Sequence, residues 1–226
     1  MTRLRFLIQK SPSSTEVVGI SQRTEVTFAP MEAIHDGIGG LDTSQIREWV
    51  SVASGSYNYF ANGDVLLAKV TPCFENGKKA IAANLENGIG FATSEVHVIR
   101  PLQDAIHPKF LQYVLSSETF RGEAMQSMTG AGWLKRVSEN AVKDHRLMVT
   151  HVTDQARIAD HLDREIARID RLIEKKSCFV DALRAKRSAV IDYAATNGIN
   201  PNSETKDSGE DWLGRIPEHW EVVSPT

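Results

Sequence analysis

The sequence predicts an α+β protein, in which a globular domain of mixed α-helices and β-strands is followed by one long coiled-coil-forming α-helix. Short apolar runs, separated by Gly, Asn and Pro, occur together with helical spacing in residues 1–150. Residues 154–197 contain neither Gly nor Pro and keep a heptad spacing. We therefore expect a domain at 1–150, a long helix at 151–198, and a linker and tail at 199–226.

Three segments of the first domain are expected to be strands. Val65–Ala68 is an apolar run after a Gly-Asp pair, as in a buried strand. Asn76-Gly77 is a turn signal, and Lys78–Ala82 follows it. Glu95–Val98 alternates polar and apolar residues, as on a half-buried strand, and Pro101 ends it.

Later in the domain the spacing becomes helical. Pro108 suits a first helical turn, and the apolar residues after it share one face. Ser138 is expected to cap a short helix ahead of a probable strand at Arg146–Val149.

The long helix has clear end signals and a continuous apolar seam. Thr153 or Asp154 is predicted to be its N-cap, and Gly198 with Pro201 marks its C-terminal end. The a and d positions of the seam are Leu162, Ile166, Ile169, Ile173, Lys176, Val180, Leu183, Arg187, Val190 and Ala194. A helix of this length spans about 60–65 Å. A small domain cannot cover such a stripe, so the seam predicts pairing with another long helix.

Composition limits the classes of function. The net charge of −3 argues against a nonspecific nucleic-acid binder, so a DNA surface must come from local clustering. The two cysteines, Cys73 and Cys178, are far apart in the sequence and fit free thiols in a reducing cytosol. We find no apolar run long enough for a membrane span, and we expect a cytoplasmic location.

We find no catalytic or metal-binding motif. The runs Gly37–Gly40 and Gly88–Gly90 fit neither a dinucleotide-binding fingerprint nor a P-loop. Glu95 and His97 share one strand face without a third ligand nearby and are expected to lie on the surface. An independent enzyme is therefore disfavoured, and no metal or cofactor is expected on this chain.

Three stretches resemble the specificity subunits of Type I restriction-modification enzymes. Gly63–Ala82 is similar to the family's Gly-Asp-apolar-Lys strand and the Asn/Gly/Lys turn after it. Asp154–Asp163 is similar to the motif that opens the family's long helix, with Asp154 in place of a Glu. Asp211–Val223 is similar to the segment that opens a target-recognition domain.

This resemblance implies a non-catalytic specificity subunit of a larger complex. A full-length member contains two target-recognition domains and two long antiparallel helices, and each domain reads one half of a bipartite site in double-stranded DNA. The implied partners are adenine-N6 methyltransferase subunits carrying S-adenosylmethionine and restriction/translocase subunits using ATP and Mg²⁺. This chain itself then binds no cofactor.

The chain departs from the full pattern because it holds one domain and one helix, as in a half-sized or truncated subunit. The tail motif, ending at Trp220–Val222, normally runs on into a segment like Arg3–Leu7. We therefore expect a second copy of the chain to supply the missing helix, through Leu162, Ile166, Ile169, Ile173, Val180, Leu183 and Val190.

Three groups of residues are candidates for contacting DNA, since Lys and Arg bind phosphates and Asn reads adenine. The first is Lys69 with Lys78 and Lys79; the second is Trp133, Lys135 and Arg136 in a glycine-flexed loop. The third is Tyr57, Asn58 and Tyr59. The alternatives stay open, since lysines near a turn are commonly only solvated and a Trp commonly packs.

Two functions from other classes remain. One is a stand-alone coiled-coil DNA-binding regulator, which binds its site tightly without partners. The other is a decoy or assembly protein, which binds methyltransferase subunits without sequence-specific affinity for DNA.

Overall fold

The computed structural model describes residues 1–37, 40–53, 55–200 and 202–223. Ile38 and Gly39 of the glycine-rich run, and Pro201 beyond the predicted helix, lie outside the described residues. The chain forms two compact units, Met1–Leu162 and Asp163–Thr226. The first unit therefore includes the first turns of the long helix. The predicted domain boundaries at 150 and 198 instead divide the chain near the two ends of that helix.

The strands of the chain are β1 Thr2–Arg3, β2 Glu25–Ala29, β3 Ile46–Glu48, β4 Asn58–Ala61, β5 Val65–Ala68, β6 Lys79–Ile81, β7 Ile89–Ala92, β8 Val96–Ile99, β9 Thr129–Ala131, β10 Leu134–Arg136, β11 Arg146–Leu147, β12 Thr205–Asp207 and β13 Arg215–Pro217. The helices are α1 Trp49–Ala53, α2 Pro108–Val114, α3 Glu118–Gln126, α4 Glu139–Asp144 and α5 Val152–Asn197. The predicted α+β class is confirmed.

The two largest sheets of the first unit are one mixed sheet and one antiparallel sheet. Strands β3-β2-β7-β4 form one sheet, and β6-β5-β8 form the other. Strands β2 and β7 run parallel with Phe28 opposite Phe91, whereas the other pairs in these two sheets are antiparallel. The central strand β5 is buried along its whole length, as its continuous apolar sequence predicts.

Apolar side chains from both sheets and from the helices form the core of this unit. The largest cluster joins β5 to α2, α3 and α4 and includes Leu4 from the chain start. Phe60, Phe91 and Phe120 are among the largest fully buried side chains. This packing fixes the strand ends from which the candidate surface is built.

The predicted local signals around α2 and α4 are found in the structure. Pro108 occupies the first turn of α2. The Ser138 hydroxyl accepts a hydrogen bond from the Ala141 amide at 3.1 Å, which caps α4. The strand expected at Arg146–Val149 is limited to β11, whose residues pair with β1.

The predicted N-cap of α5 is wrong, because the helix begins at Val152. The amides of Asp154 and Gln155 both donate to the carbonyl of His151, so Thr153 and Asp154 already lie in the first turn. There the carboxylate of Asp154 still favours the helix electrostatically. The helix has 46 residues, about 69 Å at 1.5 Å per residue.

Gln155 anchors the start of α5 to the domain. Its side chain is fully buried. Its amide nitrogen donates to the carbonyls of Ala105 at 3.0 Å and Thr150 at 2.8 Å, and its oxygen accepts from the His107 amide at 2.9 Å. Removing this amide takes the side-chain partner from three backbone groups, and each of them that water cannot reach then costs about 1–3 kcal/mol.

The second unit contains the rest of α5 and the tail. The seam residues Ile169, Ile173, Val180, Leu183 and Val190 are 44–60% exposed in this single chain. Leu172, Phe179 and Tyr193 are exposed as well, and they occupy the heptad position next to the a residues. The tail includes a hairpin of β12 and β13, whose Ile216 is buried.

Within the part of the chain that the structure describes, no helix is both long and apolar enough to cross a membrane. The same described residues contain no cluster of three or more His, Cys, Asp or Glu side chains arranged to hold a metal ion.

Candidate nucleic-acid interface

The segment Thr129–Arg136, expected to be a glycine-flexed loop, is an antiparallel hairpin of β9 and β10. Leu134 pairs with Ala131, so Gly132 and Trp133 form a two-residue turn. Gly132 has φ +60°, and Gly at the first central position is typical of a type II′ turn. At Gly130 a Cβ atom would lie 2.2 Å from the Leu134 carbonyl oxygen, so only glycine fits there.

The residues after β5 hold this hairpin in place. The Thr71 hydroxyl donates to the Trp133 carbonyl at 2.5 Å and accepts from the Lys135 amide at 3.0 Å. The Thr71 amide donates to the Lys135 carbonyl, and the Val137 amide donates to the Lys69 carbonyl. The hairpin therefore has a fixed position, and it lies beside Lys69.

Arg136 and Glu95 form a bidentate ion pair at the base of the hairpin. The Nε–Oε2 distance is 2.8 Å and the Nη2–Oε1 distance is 2.9 Å. The hydrogen bond from Arg136 lowers the pKa of the Glu95 carboxyl. The expectation that Glu95 is a simple surface residue is therefore incomplete, because it fixes the orientation of an arginine on the candidate surface.

A cavity of about 450 Å³ opens beside the same hairpin. Asn58, Lys69, Arg136 and Lys143 line it together with the buried edge of β8. The His97 Nε2–H donates to the Val137 carbonyl at 3.0 Å, and burial lowers the pKa of this imidazole. A neutral His97 thus fixes the strand under the cavity, while the cations lie at its wall.

The second predicted group and one lysine of the first group are therefore brought together. Trp133 is 97% exposed at the turn, and Lys135 is exposed on β10. Lys69 and Arg136 are half-buried beside them. We name Lys69, Trp133, Lys135 and Arg136 the hairpin surface. Its exposed or half-exposed cations and its protruding indole suit contact with a polyanion that carries aromatic bases.

Lys78 and Lys79 are placed differently, because their ammonium groups point into the protein. The Lys78 Nζ donates to the carbonyl oxygens of Ile34 at 2.8 Å and Met31 at 3.4 Å. Lys79 is only 3% exposed and donates to the Gly77 carbonyl, and burial lowers its pKa to about 8. A DNA contact by either residue stays a prediction, and the geometry favours a structural role.

The third predicted group lies mostly in the core. Tyr59 is buried against Phe91. Tyr57 meets Phe28 edge-on, with 5.1 Å between ring centroids. Asn58 alone reaches the cavity next to the hairpin surface, and its amide nitrogen donates to the Val96 carbonyl at 2.7 Å.

Sequence reasoning missed Thr71, whose hydroxyl and amide position the hairpin. It is separated from Trp133 by 62 residues, so no local pattern indicates the contact. The pairing of Glu95 with Arg136 spans 41 residues and was missed for the same reason.

No family model matches the chain. Two curated proteins of Escherichia coli are similar to it: the specificity subunit of the Type I restriction enzyme EcoAI, 34% identical, and that of EcoEI, 31% identical. Each match spans 202 residues, which is 89% of this chain and 33% of the relative. The chain thus spans about a third of the length of these relatives.

Two solved structures share the fold. The HsdS subunit from Thermoanaerobacter tengcongensis has a TM-score of 0.65 and 18% identity, over 90% of this chain and 50% of that one. A chain from a structural study of complex assembly in the type I R-M system has a TM-score of 0.59 and 16% identity, over 92% and 51%. These two matches show the fold, and the two curated relatives confirm the resemblance seen in the sequence: the chain belongs to the family of Type I restriction-modification specificity subunits.

Proposed function

We propose that this chain recognises a DNA sequence for a Type I restriction-modification system and that the hairpin surface contacts the DNA. The single observation that carries the proposal is the fixed hairpin, on which an exposed indole and an exposed lysine lie beside a bidentate arginine. Because the relatives are named as specificity subunits of restriction enzymes, DNA is the polyanion that we expect this surface to bind.

The chemistry of the hairpin surface divides into two tasks. Lys69 and Lys135 are suited to phosphates, which position a protein on duplex DNA without reading its sequence. Arg136 is planar and has a fixed orientation, which suits the two acceptors on a guanine edge. Asn58, beside the cavity, offers an amide of the type that reads adenine.

The exposed seam of α5 supports a second element of the proposal. Five large aliphatic side chains on one face of a helix are stable in water only when another surface covers them. Heptad spacing selects a second long helix as that surface. We infer that two copies of this chain pair through α5 as a twofold-symmetric dimer, with each copy reading one half of a bipartite site.

We propose that partner subunits carry out all the catalytic steps. Adenine-N6 methyltransferase subunits carry S-adenosylmethionine, and restriction/translocase subunits use ATP and Mg²⁺. The chain works in the cytoplasm, binds no cofactor of its own and determines which DNA sequence the complex binds.

The proposal is tested by selecting bound duplexes from a random library, using the complex of this chain with its methyltransferase subunits. We expect enrichment of one bipartite motif, with binding weakened by Lys135→Ala and retained in the folded fraction of a Lys78→Ala control. A complex that assembles but enriches no motif would support a decoy. Equally tight and specific binding by the chain without partners would support a stand-alone regulator.

A further inference from the structure

The indole of Trp133 is not packed against the rest of its own chain. It is 97% exposed at a two-residue turn, and the neighbouring Leu134 is exposed too. Burying a large aromatic side chain is strongly favourable, so an indole left in water on a tethered turn indicates a surface that is completed by a ligand.

The turn is built to hold that indole outward. Gly130 permits the close approach of the two strands, and Gly132 provides the positive φ of the turn. The Thr71 hydroxyl binds the backbone directly after the Cα that carries the indole, at the Trp133 carbonyl and the Lys135 amide. The indole therefore protrudes on a tethered backbone, and little ordering is needed when a ligand binds.

The charge around the indole selects the kind of ligand. Residues 127–137 contain two basic side chains and no acidic one. Lys69 lies beside them, and Glu95, the carboxylate that contacts β10, is already paired with Arg136. An apolar wedge flanked by cations fits duplex DNA, in which stacked bases lie between two rows of phosphates.

We propose that Trp133 inserts its indole between two stacked base pairs of the bound duplex and kinks the DNA at that step. This inference rests on the proposed function and adds a mode of recognition to it. A wedge selects sequence through the cost of unstacking, which is lowest at the pyrimidine–purine steps TA and CA/TG. The recognised half-site then requires such a step at a position where no side chain reads a base edge.

Every step of this kind contains a thymine, and permanganate oxidises thymines that have lost their stacking. The test is permanganate footprinting of the duplex motif obtained from library selection, bound to the complex of the chain with its methyltransferase subunits. The angle between the duplex ends is measured in parallel by energy transfer between terminal dyes. The variants are Trp133→Ala and Trp133→Phe, with Trp212→Ala as the control that removes an 80% exposed indole from the tail.

We expect the thymines of one step in each half-site to become reactive in the wild-type complex and in the Trp212→Ala control and to be protected again in Trp133→Ala. The DNA should straighten in Trp133→Ala, and affinity should fall about 5- to 150-fold, the range for loss of one aromatic–base stack. Trp133→Phe should keep the reactive thymines. Thymines that stay reactive in Trp133→Ala lie opposite adenines flipped by the methyltransferase subunits, so only thymines whose reactivity depends on Trp133 support the wedge.

Three results would overturn the inference, and they differ in whether sequence recognition by the chain is still supported. Tight binding of the motif with no thymine dependent on Trp133 removes the wedge and keeps sequence recognition. Failure of Trp133→Ala to assemble with methyltransferase subunits makes the indole a protein contact. A wild-type complex that binds no duplex more tightly than any other removes both the wedge and the proposed function.

Discussion

The carboxylate of Glu95 lies against the guanidinium of Arg136 with two hydrogen bonds, 2.8 and 2.9 Å long. Glu95 directly precedes β8, and Arg136 ends β10, so the pair joins the hairpin to the sheet. The Arg136 side chain is 41% exposed, and ion pairs this exposed add little to stability because water screens them. Its main consequence is the direction in which the guanidinium points.

The first prediction concerns this pair. Glu95→Gln keeps the shape of the side chain but loses the charge, so Arg136 is no longer held in one orientation. We expect nonspecific affinity for DNA to rise and the ratio of specific to nonspecific affinity to fall about 5- to 150-fold, since one good bidentate base contact is worth about 1–3 kcal/mol. Titration of motif and scrambled duplexes at one salt concentration measures the ratio.

Glu139→Gln is the matched control for Glu95→Gln. Glu139 lines the same cavity and is paired with Lys143, so the substitution removes one negative charge without freeing Arg136. Nonspecific affinity should rise in the control while the ratio stays unchanged. Equal ratios in wild type, Glu95→Gln and Glu139→Gln would contradict a role for Glu95 in orienting Arg136.

The second prediction concerns the phosphate contact assigned to Lys135. Each lysine that neutralises a phosphate releases a counterion, so the slope of log K against log salt changes by about 0.9 per contact. Lys135→Ala should lower this slope by about one and weaken binding to all duplexes alike. The measurement is a salt series with a motif duplex and a scrambled duplex.

Lys175→Ala on α5 provides the comparison, because it removes the same charge from an exposed position outside the a and d seam. Its slope should match wild type. An unchanged slope in Lys135→Ala would place this lysine away from the DNA backbone.

The third prediction concerns the buried ammonium of Lys79, whose pKa is lowered to about 8 by burial and, to a lesser extent, by Arg121. The unfolded chain keeps this proton up to about pH 10.5, so between pH 8 and 10.5 the unfolded state binds more protons and stability rises with pH. Below pH 8 the folded state carries the full cost of a buried charge. Lys79→Met should therefore stabilise the protein most at neutral pH.

Urea unfolding at pH 7 and pH 10 measures this effect. We expect the gain in the free energy of unfolding from Lys79→Met to be about 1–3 kcal/mol larger at pH 7 than at pH 10. Lys10→Met, at an exposed lysine, should show equal effects at the two pH values. A gain in Lys79→Met that does not depend on pH would mean that the ammonium is not desolvated.

The fourth prediction concerns the seam of α5. Asp at the a positions Ile173 and Val180 puts charges into the interface between paired helices, where they cannot be solvated. We expect the double variant to have the mass of one chain in light scattering, whereas the wild type has the mass of two. Ala185→Asp, at an exposed position outside the seam, should leave the mass unchanged.

Helix content measured by circular dichroism tests whether both sets of variants still form α5. A wild-type mass equal to one chain over a wide range of concentration would contradict pairing through this seam. In that case the exposed apolar face of α5 needs a different protein to cover it.

The elements set by local sequence were predictable. The long helix followed from heptad spacing without Gly or Pro, and the capped start of α4 followed from Ser138. Helix α5 begins two residues earlier than a cap at Thr153 predicts. The reason is that the carbonyl of His151 already accepts hydrogen bonds from amides of the first turn.

The candidate surface was only partly predictable, because contacts between distant segments decide which polar residues reach solvent. Lys78 was a candidate for contacting DNA, with a solvated lysine near a turn as the alternative, yet carbonyl oxygens 44 and 47 residues earlier in the sequence bind its ammonium group. The glycines around Trp133 weaken the strand pattern, so the sequence indicated a loop where the structure has a hairpin. Thr71, which fixes that hairpin, is far away in sequence.

The most direct test of the central claim is a map of methylated adenines in the genome of a host that expresses this chain with its adenine methyltransferase. We predict methylation at one bipartite motif, and the two halves form a palindrome when two copies of the chain read the site. A complex that forms with the methyltransferase but adds no methylated motif would contradict DNA recognition by this chain.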